Sequence, residues 1–322
     1  MFWHPIFLTL LAIFLILPLL TDDYIKHVLI MIFFYAFLGL CWDICGGHAG
    51  LFSIGHAGFL GVGAYTSSYL LINVGLTPWI GMLGGVLIAV IFSLLLGYVT
   101  CRYGLIGVFF ALTTIAFGEC LRILVSNLMF LNGPQGMLIP FEGNSLVYFQ
   151  FSTKTPYYYI MLGFLIIMMM VNSIMGKSKL GYYLIAIRED EHAADALGIN
   201  LMKYKLMDLA LSASFTAIGG TFYAQYVMFI ESSSVFTIPM SVEIITRPIV
   251  GGMGTVLGPV VGSFLIGSIS EITRAFFGGG GEAGLHLIIY GIIIIFVVIF
   301  MPSGVVNLLH RAVEKCISWK SS

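Results

Sequence analysis

The sequence predicts an all-α polytopic membrane protein. It reads as one transmembrane domain over 1–322, with about ten membrane-spanning segments, some broken by glycine, and a weak two-fold internal repeat. Three observations carry this. Of 322 residues, 59% are in the set AVILMFWYC and only 9% are charged, with mean hydropathy +1.04. A soluble domain is about 25% charged, so a globule of this composition could not cover its surface in water. The apolar residues fall into blocks close to the ~20 residues a spanning helix needs. The few cations are placed asymmetrically along the chain. A soluble enzyme, a nucleic-acid binder and a disordered chain are excluded together. The formal net charge of −1 points to no acidic or basic partner.

The blocks lie at 2–20, 24–42, 52–73, 79–100, 105–129, 157–175, 206–230, 238–253, 255–277 and 285–301. The first reads as an uncleaved span. No basic stretch precedes it, and no small-x-small cleavage signal follows it. The block at 238–253 is short, holds Pro239, Arg247, Pro248 and the pair Gly251-Gly252, and reads as a broken helix. Five cysteines (Cys41, Cys45, Cys101, Cys120, Cys316) are scattered, mostly through apolar segments, and argue against a disulfide framework.

Lys and Arg set the orientation. Arg102, Lys177, Lys179, Arg188, Lys203, Lys205, Arg311, Lys315 and Lys320 fall on one side if ten spans leave both termini there; Lys26 and Lys154 fall on the other. The first side is therefore predicted to be cytoplasmic. The segment 131–156 becomes the one long outward loop, opened by the turn-forming Asn132-Gly-Pro-Gln-Gly136. The segment 176–205 is a cytoplasmic loop and 302–322 a cytoplasmic tail.

Two Gly-rich stretches lie between blocks. One runs from Gly46 to Gly63 and contains Gly47, Gly50, Ser53, Gly55, His56 and Gly58; the other runs from Gly251 to Gly262 and contains Gly252, Gly254 and Gly258. Small residues three or four apart let helix backbones approach closely. Irregular backbone at membrane depth is tolerated where it is buried in protein or lines a cavity. The stretches therefore serve helix packing alone, or they shape a translocation path. His48 and His56 read as rings bonded to backbone carbonyls that the glycines release. Three acid–base pairs fall within or at the ends of spans: Glu119 with Arg122, Glu243 with Arg247, and Glu271 with Arg274. Spaced three or four apart, each pair can meet on one helical face. A pair that neutralises itself suits packing and registry; a substrate or gating role is the alternative. Asp43 is the nearest candidate for an unpaired acid, and it sits at an inner helix end, which lends little support to ion coupling.

The loop 176–205 holds nine of the 29 charged side chains. The stretch from Glu189 to Leu197 predicts a short helix, and Gly198 is placed to stop it. A helix that small is stable only docked on something, so it reads as a coupling element for a cytoplasmic partner.

Arg188-Glu-Asp-Glu-His-Ala-Ala-Asp-Ala-Leu-Gly-Ile-Asn200 resembles the coupling loop of permeases of binding-protein-dependent ABC importers. Ala193-Ala194 and Gly198 keep that loop's spacing, with His192 where its Glu would stand and Glu191 one place early. Four further motifs point to one branch. The stretch from Leu51 to Tyr65 is similar to the first Gly-rich segment of branched-chain amino acid permeases of the LivM type. Thr113-Thr-Ile-Ala-Phe-Gly-Glu-Cys-Leu-Arg122 is similar to their mid-chain helix. Asn132-Gly-Pro-Gln-Gly136 resembles their outward turn, and the stretch from Gly251 to Pro259 their second Gly-rich segment. These matches run in family order over roughly 35–305; Arg247-Pro248 departs from the apolar run expected there.

The resemblance implies a multi-pass permease of the bacterial or archaeal cytoplasmic (inner) membrane, without catalytic residues of its own. Its partners would be a second homologous permease, two ABC ATPase subunits, and a periplasmic or lipid-anchored substrate-binding protein. ATP and Mg would sit on the ATPases, leaving no cofactor or metal in this chain, which carries no Walker A motif. ATP-driven alternating access would carry branched-chain or related hydrophobic amino acids. Arg188, Glu189, Asp190, Glu191, Ala193, Ala194 and Gly198 would couple to the ATPases. Two rivals stand: the same machine importing urea, short amides or other amino acids, and a different class, an ion-coupled secondary carrier or a multi-span membrane enzyme.

Overall fold

A computed structural model describes residues 5–277 and, beyond them, 291, 292, 295, 299 and 304–306. The predicted tenth span at 285–301 and the tail at 302–322 lie almost wholly outside the described residues, as does Cys316. The described chain is helical, with one small two-stranded ribbon. Its helices are α1 (Pro5–Leu20), α2 (Asp23–Asp43), α3 (His56–Val74), α4 (Pro78–Arg102), α5 (Val108–Asn127), α6 (Lys154–Met175), α7 (Lys179–Glu189), α8 (Glu191–Ala196), α9 (Leu201–Val227), α10 (Ser232–Val235), α11 (Ile238–Gly251) and α12 (Gly258–Phe277). Among the described residues, four helical segments are long and apolar enough to cross a membrane: Asp23–His48, Pro78–Arg102, Val108–Asn127 and Lys154–Met175.

The most enclosed of these is α2. It packs against α6, α9, α11 and α12, and Phe33, Phe34, Phe37 and Trp42 on it are buried. Its partners also face it with rings: Tyr158 of α6 lies 5.3 Å from Phe33, and Tyr223 of α9 stacks on Phe34 at 5.4 Å. A second layer joins α3, α4 and α9, and here small residues replace rings. A Cβ on Gly63 would overlap the Ala217 carbonyl, and one on Gly220 the Leu60 carbonyl. Helices bare of side chains at these points come into backbone contact, which supplies dispersion where lipid offers no hydrophobic gain.

Pro18 cannot donate to the Phe14 carbonyl four residues back. The Tyr158 hydroxyl donates to that carbonyl instead, at 2.8 Å, and fastens α1 to α6. At one end of the bundle the loop after α5 forms an ordered cap. Met137–Leu138 (β1) pairs antiparallel with Phe229–Ile230 (β2), and Asn132, Gly133 and Gly136 turn the chain with positive φ. Phe149 is buried beneath the loop, stacked on Trp79 at 4.6 Å.

Two expectations change. The predicted broken helix at 238–253 is continuous from Ile238 to Gly251, with Pro248 inside it. The break falls one residue later, at Gly252, whose φ of 126° and ψ of 102° no helix accommodates. The predicted single helix from Glu189 to Leu197 is two. Asp190 is extended (φ −158°, ψ 112°) and separates α7 from α8.

Candidate functional site

The two Gly-rich stretches meet. The end of α2 unwinds through a π turn, Ile44–His48, into irregular chain before α3. The Gly254 amide, in the break between α11 and α12, donates to Asp43 Oδ1 at 2.8 Å. Gly47 lies between these groups, and a Cβ there would overlap Asp43 Oδ1 and crowd the Gly254 amide. Gly251 packs on the Gly258 carbonyl and Gly258 on the Gly252 carbonyl with the same lack of room. Asp43 is buried, and its second oxygen has no hydrogen-bond partner.

Arg188 reaches into this junction from the end of α7. Its Nη1 donates to the Gly47 carbonyl at 2.6 Å, and its Nη2 pairs with Glu189 at 2.9 Å. Gly50 (φ 69°) lies against the Arg188 stem, where a side chain would collide with Cγ. Beyond it, Asp190 Oδ1 accepts from the His192 amide at 2.9 Å and the Ala193 amide at 3.0 Å, an N-terminal cap for α8. Glu191 pairs with Lys205 of α9 at 2.6 Å, with the lysine side chain only 7% exposed. Gly198, at φ 82°, ends the elbow, as its position in sequence suggests. Ala194 is buried, and Ala193 is exposed on the outer side.

The rest of the first Gly-rich stretch is clamped to three helices. The Ile54 amide donates to Thr114 Oγ1 of α5 at 3.0 Å, and the Ala57 amide to Ser241 Oγ of α11 at 3.1 Å. Gly55 and Gly58 lie against α5 at Thr114 and Gly118. His56 is fully buried, with Nε2 2.7 Å from Ser212 Oγ and Nδ1 3.0 Å from Ser53 Oγ. Ser212 spends its one hydrogen on the Cys41 carbonyl at 2.7 Å. His56 Nε2 therefore carries the ring hydrogen, and Nδ1 accepts from Ser53. The expectation of backbone carbonyls holds for His48, whose Nδ1 lies 3.2 Å from the Asp43 carbonyl. It fails for His56, because serine hydroxyls from α9 and the same irregular stretch reach the ring first.

The charged pairs separate into two environments. Glu119 and Arg122 form a bidentate pair on α5, both partly exposed on the outside of the bundle. Arg247 is 3% exposed and pairs through Nη2 with Glu243. Its guanidinium lies over the Tyr35 ring of α2, 4.7 Å from the centroid. Glu271 accepts from the Tyr24 hydroxyl at 2.9 Å. The side chain of Arg274 lies outside the described residues, so the third pair is not described. Glu243, Arg247 and Glu271 line one cleft between α2, α11 and α12, with a cavity volume of about 130 Å³. None of the glycines predicted to shape a path lines this cleft.

Sequence reasoning missed Asp208 of α9, which is fully buried with neither carboxyl oxygen hydrogen-bonded. It also missed Ser263 and Tyr35 as neighbours of Arg247. These come from distant helices, and no local spacing signals them. Among the described residues, no group of His, Cys, Asp and Glu could hold a metal ion.

The family model described as "Branched-chain amino acid transport system / permease component" matches residues 24–298. The high-affinity branched-chain amino acid transport system permease protein LivM of Salmonella typhimurium is 26% identical over 320 residues, which covers 92% of this chain and 73% of that protein. The Escherichia coli protein of the same name is 28% identical over 294 residues, covering 84% and 67%. The nucleoside ABC transporter permease protein NupC of Lactococcus lactis subsp. cremoris is 26% identical over 238 residues, covering 69% and 73%. No solved structure matches the chain.

Proposed function

This chain belongs to the family of permease components of branched-chain amino acid transport systems, and we propose that it translocates branched-chain or related hydrophobic amino acids in an ATP-driven, binding-protein-dependent importer. In this reading it spans the membrane ten times with both termini cytoplasmic. It pairs with a second permease above two ATPases, which hold the ATP and Mg, and a binding protein delivers the cargo from outside.

The observation that supports coupling is the grip of Arg188 on the Gly47 carbonyl. ATP-driven movement of the ATPases pushes the α7–α8 elbow. The elbow is tied to α2 through Arg188 and Gly47, and to α9 through Glu191 and Lys205. Asp43 carries the displacement to Gly254, and so to the break between α11 and α12. Those two helices form the walls of the charged cleft. The Gly-rich junctions then act as joints beside the path. Hinge residues are often small because they absorb large φ/ψ changes.

Mild-detergent purification of the tagged chain from its host, followed by mass spectrometry, tests the assembly. Two Walker A ATPases and a second permease are expected to co-purify. A chain that emerges alone and stable overturns the reading. In cells, reversing charge at Glu189, Asp190 and Glu191 together is expected to abolish leucine uptake with the protein still in the membrane. Normal uptake by that variant contradicts the coupling role. The nucleoside permease among the relatives supports a second cargo, which competition of leucine uptake by uridine tests directly.

A further inference from the structure

Resting on the importer reading, we infer that the outer face of α5 around Glu119, Cys120 and Arg122 is turned toward the second permease subunit across a water-filled space. The outer faces of α4 and α6 are turned toward lipid.

Glu119 and Arg122 are charges that lipid cannot solvate. α5 is long and apolar enough to cross a membrane, and Glu119 stands near its middle. The bundle does not enclose the pair: the glutamate side chain is 39% exposed and the arginine side chain 32%. Arg122 Nε donates to both carboxylate oxygens of Glu119, at 2.9 and 3.0 Å, and Nη2 donates to Oε1 at 2.5 Å. A guanidinium carries five N–H groups, and among the described residues Nη1 donates to no acceptor. The pair cancels its net charge, but its remaining donors still need partners. Hydrocarbon offers none, and charged side chains within spans face protein or a water-filled cavity. A lipid-facing arginine near a helix end extends toward the membrane surface. Arg122 instead folds back toward the middle of α5, onto the acid one turn earlier.

Neighbouring helices show what a lipid face looks like in this chain. Leu83, Leu87, Ile91 and Leu95 stand out from α4, and no exposed side chain from Pro78 to Val99 is charged. The exposed side chains of α6 are Ile167, Met170 and Ile174. On α5, by contrast, Ala116 and Cys120 are exposed one turn apart beside the ion pair. Residues this small let a second helix approach closely. Within the chain α5 packs chiefly on α3, through Gly118 against Gly55 and Gly58, which leaves the face bearing Cys120 uncovered. In the importer the ATPases and the binding protein lie outside the membrane. The second permease is therefore the part able to meet α5 at this depth, with water between them to solvate the guanidinium.

Cys120 is a probe already in place, since Cys41 and Cys45 are buried. The chain is purified with its partner subunits and reconstituted in proteoliposomes. A charged methanethiosulfonate, which reacts with the thiolate that forms in water, is applied to both sides of the membrane. Modification of the peptide carrying Cys120, read by mass spectrometry, is expected at least ten-fold faster than modification of Leu87→Cys on the lipid face. Ile91→Cys replaces that control should it not assemble. In a second experiment Cys101→Ser and Cys316→Ser leave Cys120 to take a benzophenone maleimide. Illumination should crosslink it to the second permease. Should the serine variant not assemble, the crosslink is read in the unsubstituted chain on the peptide carrying Cys120.

Modification of Cys120 no faster than that of the lipid-face cysteine would overturn the assignment. So would crosslinking that misses the second permease, whether it captures phospholipid, a second copy of this chain or nothing. Failure of the assignment is separable from failure of the importer reading. ATP-driven leucine uptake with Cys120 no more reactive than the lipid-face cysteine removes the assignment and leaves the importer. Rapid modification and a crosslink to the second permease, in an assembly that never couples uptake to ATP, remove the importer and leave the assignment.

Discussion

His56 shows how single residues hold the buried junction. It bridges Ser53 on the irregular stretch and Ser212 on α9, and Ser212 passes its hydrogen on to α2 at Cys41. Removing the Ser212 hydroxyl takes the acceptor from a buried ring N–H, which costs about 1–3 kcal/mol. Ser212→Ala is accordingly expected to lower the thermal midpoint of the detergent-solubilised protein, with Ser212→Thr losing less. Gly220 is a second such point, because α3 backbone occupies the space of its missing Cβ. Gly220→Val should destabilise by about 1–3 kcal/mol or more and reduce the yield of monodisperse protein. At this scale the sequence announces chemistry but not partners. The glycine spacing forecasts close backbone approach, and Gly63 with Gly220 delivers it. His56 and Ser212 lie 156 residues apart, so no local pattern reveals the network. Asp208 stands at the start of a predicted span, where an acid reads as an ordinary helix end; only the packing around it shows that it is enclosed.

Among the elements, the α7–α8 elbow is the most informative. Composition suggests one helix from Glu189 onward, since most of its residues are good helix formers. The aspartate decides otherwise. Asp190 leaves helical conformation to cap the next helix with its own carboxylate, the preference that places aspartate at helix starts. Its cap was a legible signal that the run of helix formers masked. Asp190→Ala should cost about 0.5–2 kcal/mol, a large loss for a helix of six residues. Transport is expected to fall with surface expression retained, and Asp190→Asn should restore most of it. Gly198 tests the other end. Open space surrounds it, so Gly198→Ala pays only for its left-handed backbone, ~1–3 kcal/mol. Pro248 was misleading in the opposite direction, since a proline inside a helix commonly breaks it. Here α11 continues for three residues beyond it, and the glycine at 252 supplies the break.

The whole molecule is a layered set of helices whose Gly-rich junctions, charged elbow and charged cleft are joined by few bonds. The all-helical membrane character was legible from composition because water cannot solvate such a surface. That Glu243, Arg247 and Glu271 share one cleft was not legible. Spacing within a helix suggests self-contained pairs, and only the approach of α11, α12 and α2 brings Glu271 to the same cleft as Glu243 and Arg247. The cation asymmetry gives a testable orientation. In intact cells, Asn144→Cys in the capping loop should react with an impermeant thiol reagent, and Asp195→Cys in the elbow should react only after the membrane is opened. The reverse pattern would invert the topology. The proposed coupling route from elbow to cleft runs through the hydrogen bond between Asp43 and Gly254. Asp43→Ala, which removes the acceptor of the Gly254 amide, should leave ATP hydrolysis by the assembly in place and lower uptake per ATP several-fold.

The central claim, that this chain moves amino acids by energy received from ATPase partners, is tested most directly by uptake into proteoliposomes. The co-purified assembly is reconstituted with the binding protein and labelled leucine outside, and with ATP and Mg either enclosed or omitted. Accumulation only with enclosed ATP, unaffected by collapse of ion gradients and absent when Glu189, Asp190 and Glu191 are reversed in charge, is the predicted result. Accumulation driven by an imposed ion gradient without ATP would contradict the account.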